Sequence, residues 1–102
     1  MSKIKIEYQY FEGCPNHKKL HKNVLETIND MEDKVEIKYI LVDNNEIANK
    51  IGFRGSPTLL INGEDFEGMP PQEEPSLSCR FYKNGVPTST DIKIRLLLLL
   101  KD

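Results

Sequence analysis

From Lys3 to Tyr10 apolar and polar positions alternate: Ile4, Ile6, Tyr8 and Tyr10 fall on one face, and Lys5, Glu7 and Gln9 on the other. A period of two, rich in β-branched and aromatic residues, predicts a strand. Glu12-Gly13 breaks the alternation. Leu20, Val24, Ile28 and Met31 then recur at helical spacing, with Leu25 widening the stripe. Pro15 stands where a first helical turn tolerates it, so a helix of about four turns is expected from Pro15 to Met31. Alternation returns with Val35, Ile37 and Tyr39, and gives way to a continuous apolar Ile40-Leu41-Val42. That change implies a second strand, buried on both faces at its far end as in a parallel pairing.

Asp43-Asn44-Asn45 supplies N-cap residues for a short helix carrying Ile47, Ala48 and Ile51, and Gly52 is its stop. Thr58 to Ile61 reads as a third strand. Asn62-Gly63 is a strong hairpin signal leading into a short strand around Phe66. Met69 to Pro75 holds three of the six prolines and no periodicity, which makes it a loop. Leu77 to Tyr82 reads equally as a turn or a short extended piece. A last helix is expected over Asp91 to Lys101, capped by Ser89, Thr90 or Asp91. The order is β-α-β-α-β-β-α, an α/β domain spanning residues 1–102. Two strands joined through a helix run parallel if they share a sheet, and the hairpin adds an antiparallel edge. The simplest architecture is a four-stranded mixed sheet flanked by helices.

Composition narrows the function. The 102 residues carry a net charge of −2, against the basic balance usual for nucleic-acid binding. No apolar stretch follows Met1-Ser2-Lys3, so no signal peptide is expected. The longest apolar run, Leu96 to Leu100, is far too short to span a bilayer. It is nevertheless apolar all round a helix, so its leucines are expected to be buried in a monomer, with an exposed strip serving a homodimer as the other outcome. Two cysteines do not make a secreted disulfide scaffold. A cytoplasmic protein is expected, where a cysteine pair is more often catalytic or metal-binding than structural.

The chemistry gathers at Cys14-Pro15-Asn16-His17, on a strand-to-helix junction. There the unpaired N–H groups of a first helical turn favour thiolate over thiol, and the junction favours an accessible sulfur. Cys79 follows the proline-rich loop. If that loop folds back over the sheet's end, Cys79 reaches Cys14 and can resolve a mixed disulfide; otherwise it is a loop thiol without a role. The two Cα atoms would have to approach within about 7 Å. Arg80 reads as a solvated loop charge. His17 is a candidate proton donor or charge partner for Cys14, or else an exposed first-turn residue, and the helix start favours its neutral form. Cys14, His17 and His21 share a helix face, but Lys18, Lys19 and Lys22 among them oppose a cation, so no metal site is assigned. Phe11 and Phe53 read as core, with a possible second part in shaping an apolar approach to the sulfur.

The strand ending in Phe-Glu-Gly-Cys14-Pro15, together with Gly55-Ser56-Pro57-Thr58 before an Asn-Gly hairpin, resembles the thioredoxin-like superfamily. With Leu77-Ser78-Cys79-Arg80-Phe81-Tyr82 added, the chain is similar to a group of small thioredoxin-like proteins of bacteria and archaea, some associated with mercury handling. The resemblance implies a cis bond between Ser56 and Pro57, facing the active cysteine and presenting backbone to an extended substrate. It implies a thiol–disulfide oxidoreductase without organic cofactor. Cys14 would be the nucleophile, Cys79 the candidate resolving sulfur, His17 an accessory group, and Pro15, Ser56 and Pro57 the substrate surface. Partners would be protein or small-molecule thiols and disulfides. His17 stands where the family usually has a second cysteine, so the usual dithiol within the motif cannot form. Capture of mercury, copper or zinc through Cys14 with Cys79 or His17 is the rival reading.

Overall fold

The computed structural model describes residues 3–101, so Met1, Ser2 and Asp102 of the expected 1–102 domain lie outside the described residues. Its elements follow the expected order: β1 (Ile4–Tyr10), α1 (Pro15–Ile28), β2 (Val35–Leu41), α2 (Asn45–Ile51), β3 (Thr58–Ile61), β4 (Glu64–Asp65) and α3 (Ser89–Leu100). The sheet order is β2-β1-β3-β4. β1 runs parallel to β2 from Ile4 opposite Val35 to Tyr10 opposite Leu41. It runs antiparallel to β3, with Tyr8 opposite Leu59. The Asn62-Gly63 turn closes β3 onto β4.

The alternation in β1 assigns its two faces. Ile4, Ile6 and Tyr8 join Leu20, Val24 and Ile28 of α1, Leu59 and Ile61 of β3, and Ile92 and Leu96 of α3 in the main core. The opposite face carries a second cluster at one end of the sheet, where Val42, Ala48 and Phe53 pack with Phe11 and Ile47. α2 is fixed at both ends: the Asn44 side chain accepts from the Ile47 N–H, and Gly52 takes the left-handed conformation that ends the helix.

Four expectations need correction. β2 is an edge strand, so Leu41 stays exposed and only Val42 of the Ile40-Leu41-Val42 run is buried. α1 ends at Ile28; Met31 still reaches the core from the following turn. α3 is capped one residue earlier than expected, by Thr88, whose hydroxyl accepts from the Asp91 N–H while the Asp91 carboxylate accepts from the Thr88 N–H. Finally, Ile92 and Leu96 are the residues of α3 that are buried, and Leu97 to Leu100 are exposed. A single helix resting on a neighbour buries a stripe, so the rest of an all-apolar turn remains in water.

Candidate active site: a disulfide between Cys14 and Cys79

Cys14 is the N-cap of α1, with extended backbone angles (φ −82°, ψ 133°) and Pro15 at the first helical position. The first turn carries no acidic residue, and Lys18 and Lys19 follow directly. Glu12, just before the helix, is the nearest acidic residue in sequence.

Cys79 comes from the irregular segment between the proline-rich loop and α3, and its sulfur is bonded to that of Cys14. The two Cα atoms stand 5.5 Å apart, across 65 positions of sequence. The loop therefore does fold back. Cys14 is only 5% exposed in this oxidised form, against the accessible sulfur expected, because Cys79 is bonded across it. Cys79 itself is exposed.

Ser56 sits beside the disulfide. Its peptide bond to Pro57 is cis, as the family resemblance implied. Its N–H donates to the Ser78 carbonyl at 2.9 Å, and its carbonyl accepts from the Arg80 N–H at 2.8 Å, forming an isolated bridge opposite Cys79. Its hydroxyl accepts from the Phe11 N–H at 3.0 Å, tying the segment to the end of β1. Pro15 is exposed, whereas Ser56 and Pro57 are buried.

Arg80 is the clearest departure from expectation. It is no solvated loop charge: it is 7% exposed, and its guanidinium donates to both oxygens of Asp65, Nη1 at 2.6 Å and Nη2 at 2.9 Å. Burial pushes the Asp65 carboxyl up, but the Arg80 hydrogen bonds and the N–H groups of Met69 and Glu67 outweigh it and hold it below the usual carboxylate range. The fork geometry is the arrangement an arginine needs to survive burial. The guanidinium also lies 4.8 Å from the centre of the Tyr82 ring, and the Tyr82 hydroxyl donates to the Pro57 carbonyl. The sequence reading missed Asp65 and Tyr82 altogether. The one available signal was a buried-type aromatic two residues from an arginine, which is too common to stand out.

His17 is buried rather than exposed. Its ring stacks on Tyr10 with centres 4.5 Å apart, and Nδ1 lies 3.0 Å from the Tyr8 hydroxyl. That hydroxyl also donates to the His17 carbonyl at 2.8 Å. A phenol has one proton, so both contacts are satisfied when Nδ1 carries the hydrogen and donates to Tyr8. Burial, reinforced by His21 and Lys18 against an opposing Glu12, lowers the affinity of the ring for a second proton. His21 Nε2 is paired with the Tyr39 hydroxyl at 3.0 Å. With these nitrogens engaged, the Cys14-His17-His21 set is not arranged as a metal site. Among the described residues no group of three or more His, Cys, Asp or Glu side chains is placed to hold a metal ion. Phe11 and Phe53 meet edge to face, 6.3 Å apart, in the second core cluster.

The chain as a whole has relatives among known proteins. A family described as thioredoxin domain matches residues 2–75. The chain belongs to the thioredoxin family. It is 39% identical over 75 residues to a thioredoxin of Methanocaldococcus jannaschii, an alignment covering 72% of this chain and 88% of that one. Among solved structures, chloroplastic thioredoxin z superposes with a TM-score of 0.68 at 19% identity, covering 98% of this chain and 80% of the other. Thioredoxin-2 of a malaria parasite superposes with a TM-score of 0.61 at 14% identity, covering 98% and 84%. Both share the fold. The family match ends at residue 75, so Cys79, Arg80 and Tyr82 lie beyond it.

Proposed function

We propose that the protein is a thiol–disulfide oxidoreductase in which Cys14 attacks and Cys79 resolves. The observation that carries this reading is the Cys14–Cys79 bond at the N-terminus of α1, beside Ser56-Pro57. In the reduced protein the helix start favours the Cys14 thiolate, the attacking form. It displaces one sulfur of a substrate disulfide and forms a mixed disulfide, which Cys79 then breaks to give the bond seen here. Recycling runs the other way. An external thiol attacks the exposed Cys79 and expels Cys14 as thiolate, the better leaving group of the pair, and a second external thiol then frees Cys79 as the external disulfide forms.

The substrates are thiols and disulfides, of protein or small-molecule origin. Exposed Pro15 borders the surface that receives them, whereas Ser56 and Pro57, expected to present free backbone there, are buried and Ser56 is paired with Ser78 and Arg80. Two cysteines placed for exchange rather than for stapling fit a reducing compartment such as the cytoplasm. Among the described residues no helix is long and apolar enough to cross a membrane. His17 takes a structural part, packed on Tyr10 and bonded to Tyr8, outside the exchange steps.

Two variants test the assignment. Cys14→Ser should abolish reduction of a model disulfide, whereas Cys79→Ser should accumulate a mixed disulfide on Cys14, detected as a mass adduct. Undiminished turnover by Cys14→Ser would overturn the reading. The closeness of the two sulfurs also favours a second reading, capture of a soft cation such as mercury or copper between the reduced thiolates. Titration of the metal against wild type and Cys79→Ser separates the two. A metal-capturing protein loses most of its affinity with Cys79, whereas a monothiol enzyme need not.

A further inference from the structure

The disulfide is not the only contact that holds Cys79 in place. Residues 78–82 are tied down by contacts that do not involve sulfur. Ser78 and Arg80 pair with both backbone groups of Ser56, and the Tyr82 hydroxyl donates to the Pro57 carbonyl. The Arg80 guanidinium forks onto Asp65, with its side chain 4% exposed and that of Asp65 1% exposed. Asp65 is itself fixed: its Oδ2 accepts from the Glu67 and Met69 N–H groups at 2.9 and 3.1 Å. Gly55 admits this docking, because a Cβ there would stand 2.9 Å from the Arg80 Cβ, and its φ of +104° is one that glycine adopts freely. Arg80 adjoins Cys79, so fixing both the backbone and the side chain of residue 80 leaves the neighbouring sulfur little freedom.

We infer that Arg80, through its buried pair with Asp65, is a positioning residue for the resolving step: it holds Cys79 beside Cys14 while both sulfurs are reduced. This rests on the exchange reading above. A partner cysteine on the next turn of the same helix is held close by the helix. A partner 65 positions away is not, and an untethered loop gives an intramolecular reaction only a millimolar-range effective concentration, about what a flexible linker supplies. The buried pair replaces that loose tether with a fixed geometry, which is where large intramolecular advantages arise. In the step itself the Cys79 thiolate attacks the Cys14 sulfur of the mixed disulfide. The Cys14–Cys79 bond forms as the bond to the substrate sulfur breaks, and that sulfur leaves as thiolate and takes a proton from water. Over the cycle the substrate disulfide gains two electrons and two protons, and the protein dithiol loses them.

The docking has a second consequence. The Ser56 backbone is already paired with residues 78 and 80, so an extended polypeptide has to displace that segment before it can pair there. A small disulfide does not. The first exchange is therefore unchanged or faster when the segment is loosened, and the second is slower.

Reduced protein mixed with an aromatic disulfide that releases a coloured thiol reads the two steps separately: first release reports attack by Cys14, second release reports resolution by Cys79. Arg80→Met should slow second release at least tenfold without slowing first release, and Arg80→Lys should restore part of the loss. The Asp65→Leu/Arg80→Leu double variant removes the forked pair together, leaves Arg54 its bond to the Met69 carbonyl, and should behave as Arg80→Met does. Second release within twofold of wild type in folded Arg80→Met or in the folded double variant would overturn the inference. The wild-type protein offers a test free of folding risk: after reduction the Arg80 amide should stay protected from hydrogen exchange by its bond to Ser56. Exchange at the rate of an unstructured chain would overturn it equally. An absence of first release from wild type would instead count against the exchange reading, so the two failures are distinguishable.

Discussion

Cys14 and Cys79 meet in one bond but are placed by different means. Cys14 ends a strand and begins a helix, so the hydrogen bonding of β1 and α1 fixes its position. Cys79 belongs to neither helix nor strand; one bridge to Ser56, one buried ion pair and one tyrosine hydroxyl fix it. Backbone-determined placement is robust, because each residue of an element supports the next. Placement by a few side chains rests on a handful of groups, any of which can be removed singly. The contrast also follows the family relationship: the match spans residues 2–75, which contain Cys14, Ser56 and Pro57, and stops before Cys79.

The largest effect should come from Asp65→Ala. It strips the buried Arg80 guanidinium of its anion, a change that typically costs about 3–5 kcal/mol, and it frees the Glu67 and Met69 N–H groups as well. Urea unfolding of the oxidised protein measures it. A loss below about 1 kcal/mol, the level of an exposed pair, would show that the second region is held by something else. The same carboxylate gives an acid dependence. Its folded pKa lies below its unfolded value near 3.9, so its contribution is complete above about pH 4 and is lost as pH falls through the lower folded value. A wild-type unfolding midpoint that holds steady through that range would contradict the ion pair.

These two regions also explain what could be read from sequence. Cap and turn residues marked α2 and β4, with β4 stopping at Asp65, short of the expected Phe66; periodicity reports which residues share a face, and it located β1, α1 and β2 because they obey it. It gave Cys14 its junction for the same reason. It failed where burial depends on position in the sheet, as at Leu41 on the edge strand, and where an apolar run exceeds the stripe a neighbour can cover, as at Leu97 to Leu100. It was silent on Arg80, because an arginine in an aperiodic loop has the same local pattern whether it is solvated or buried. Its partner lies 15 residues away and carries no mark in a sequence of 16 acidic residues. The Cys14–Cys79 bond stayed open for the same reason.

Next in size is the disulfide itself. Closing a loop across 65 positions restrains the unfolded chain by about 4 kcal/mol in the chain-entropy treatment. Reduced and oxidised protein, unfolded in parallel with and without a strong reductant, should differ by roughly that amount. A much smaller difference would mean that unfolded chains of the two forms are already alike. Below it comes Thr88→Ala, which removes the cap of α3 and should cost about 1 kcal/mol, measured by thermal unfolding. Unlike Asp65→Ala, it should leave resolution by Cys79 largely untouched, since the cap frays only the first turn of α3 and touches none of the bonds at Ser56, Asp65 or Pro57.

The smallest effect bears on His17, the residue that occupies the motif and is packed on Tyr10 and bonded to Tyr8. Its ring is buried against Tyr10 and gives its Nδ1 hydrogen to Tyr8, so the folded protein resists adding a second proton. The unfolded chain takes that proton near its ordinary value of about 6.5. Between the two values the unfolded state binds more protons, and stability therefore falls as pH drops below about 6.5 and levels off once the folded ring is also charged. His17→Gln should flatten that slope while leaving the pH profile of Cys14 alkylation in place. If the alkylation profile moves instead, the imidazole acts on the sulfur, and the helix start alone does not account for the reactivity of Cys14.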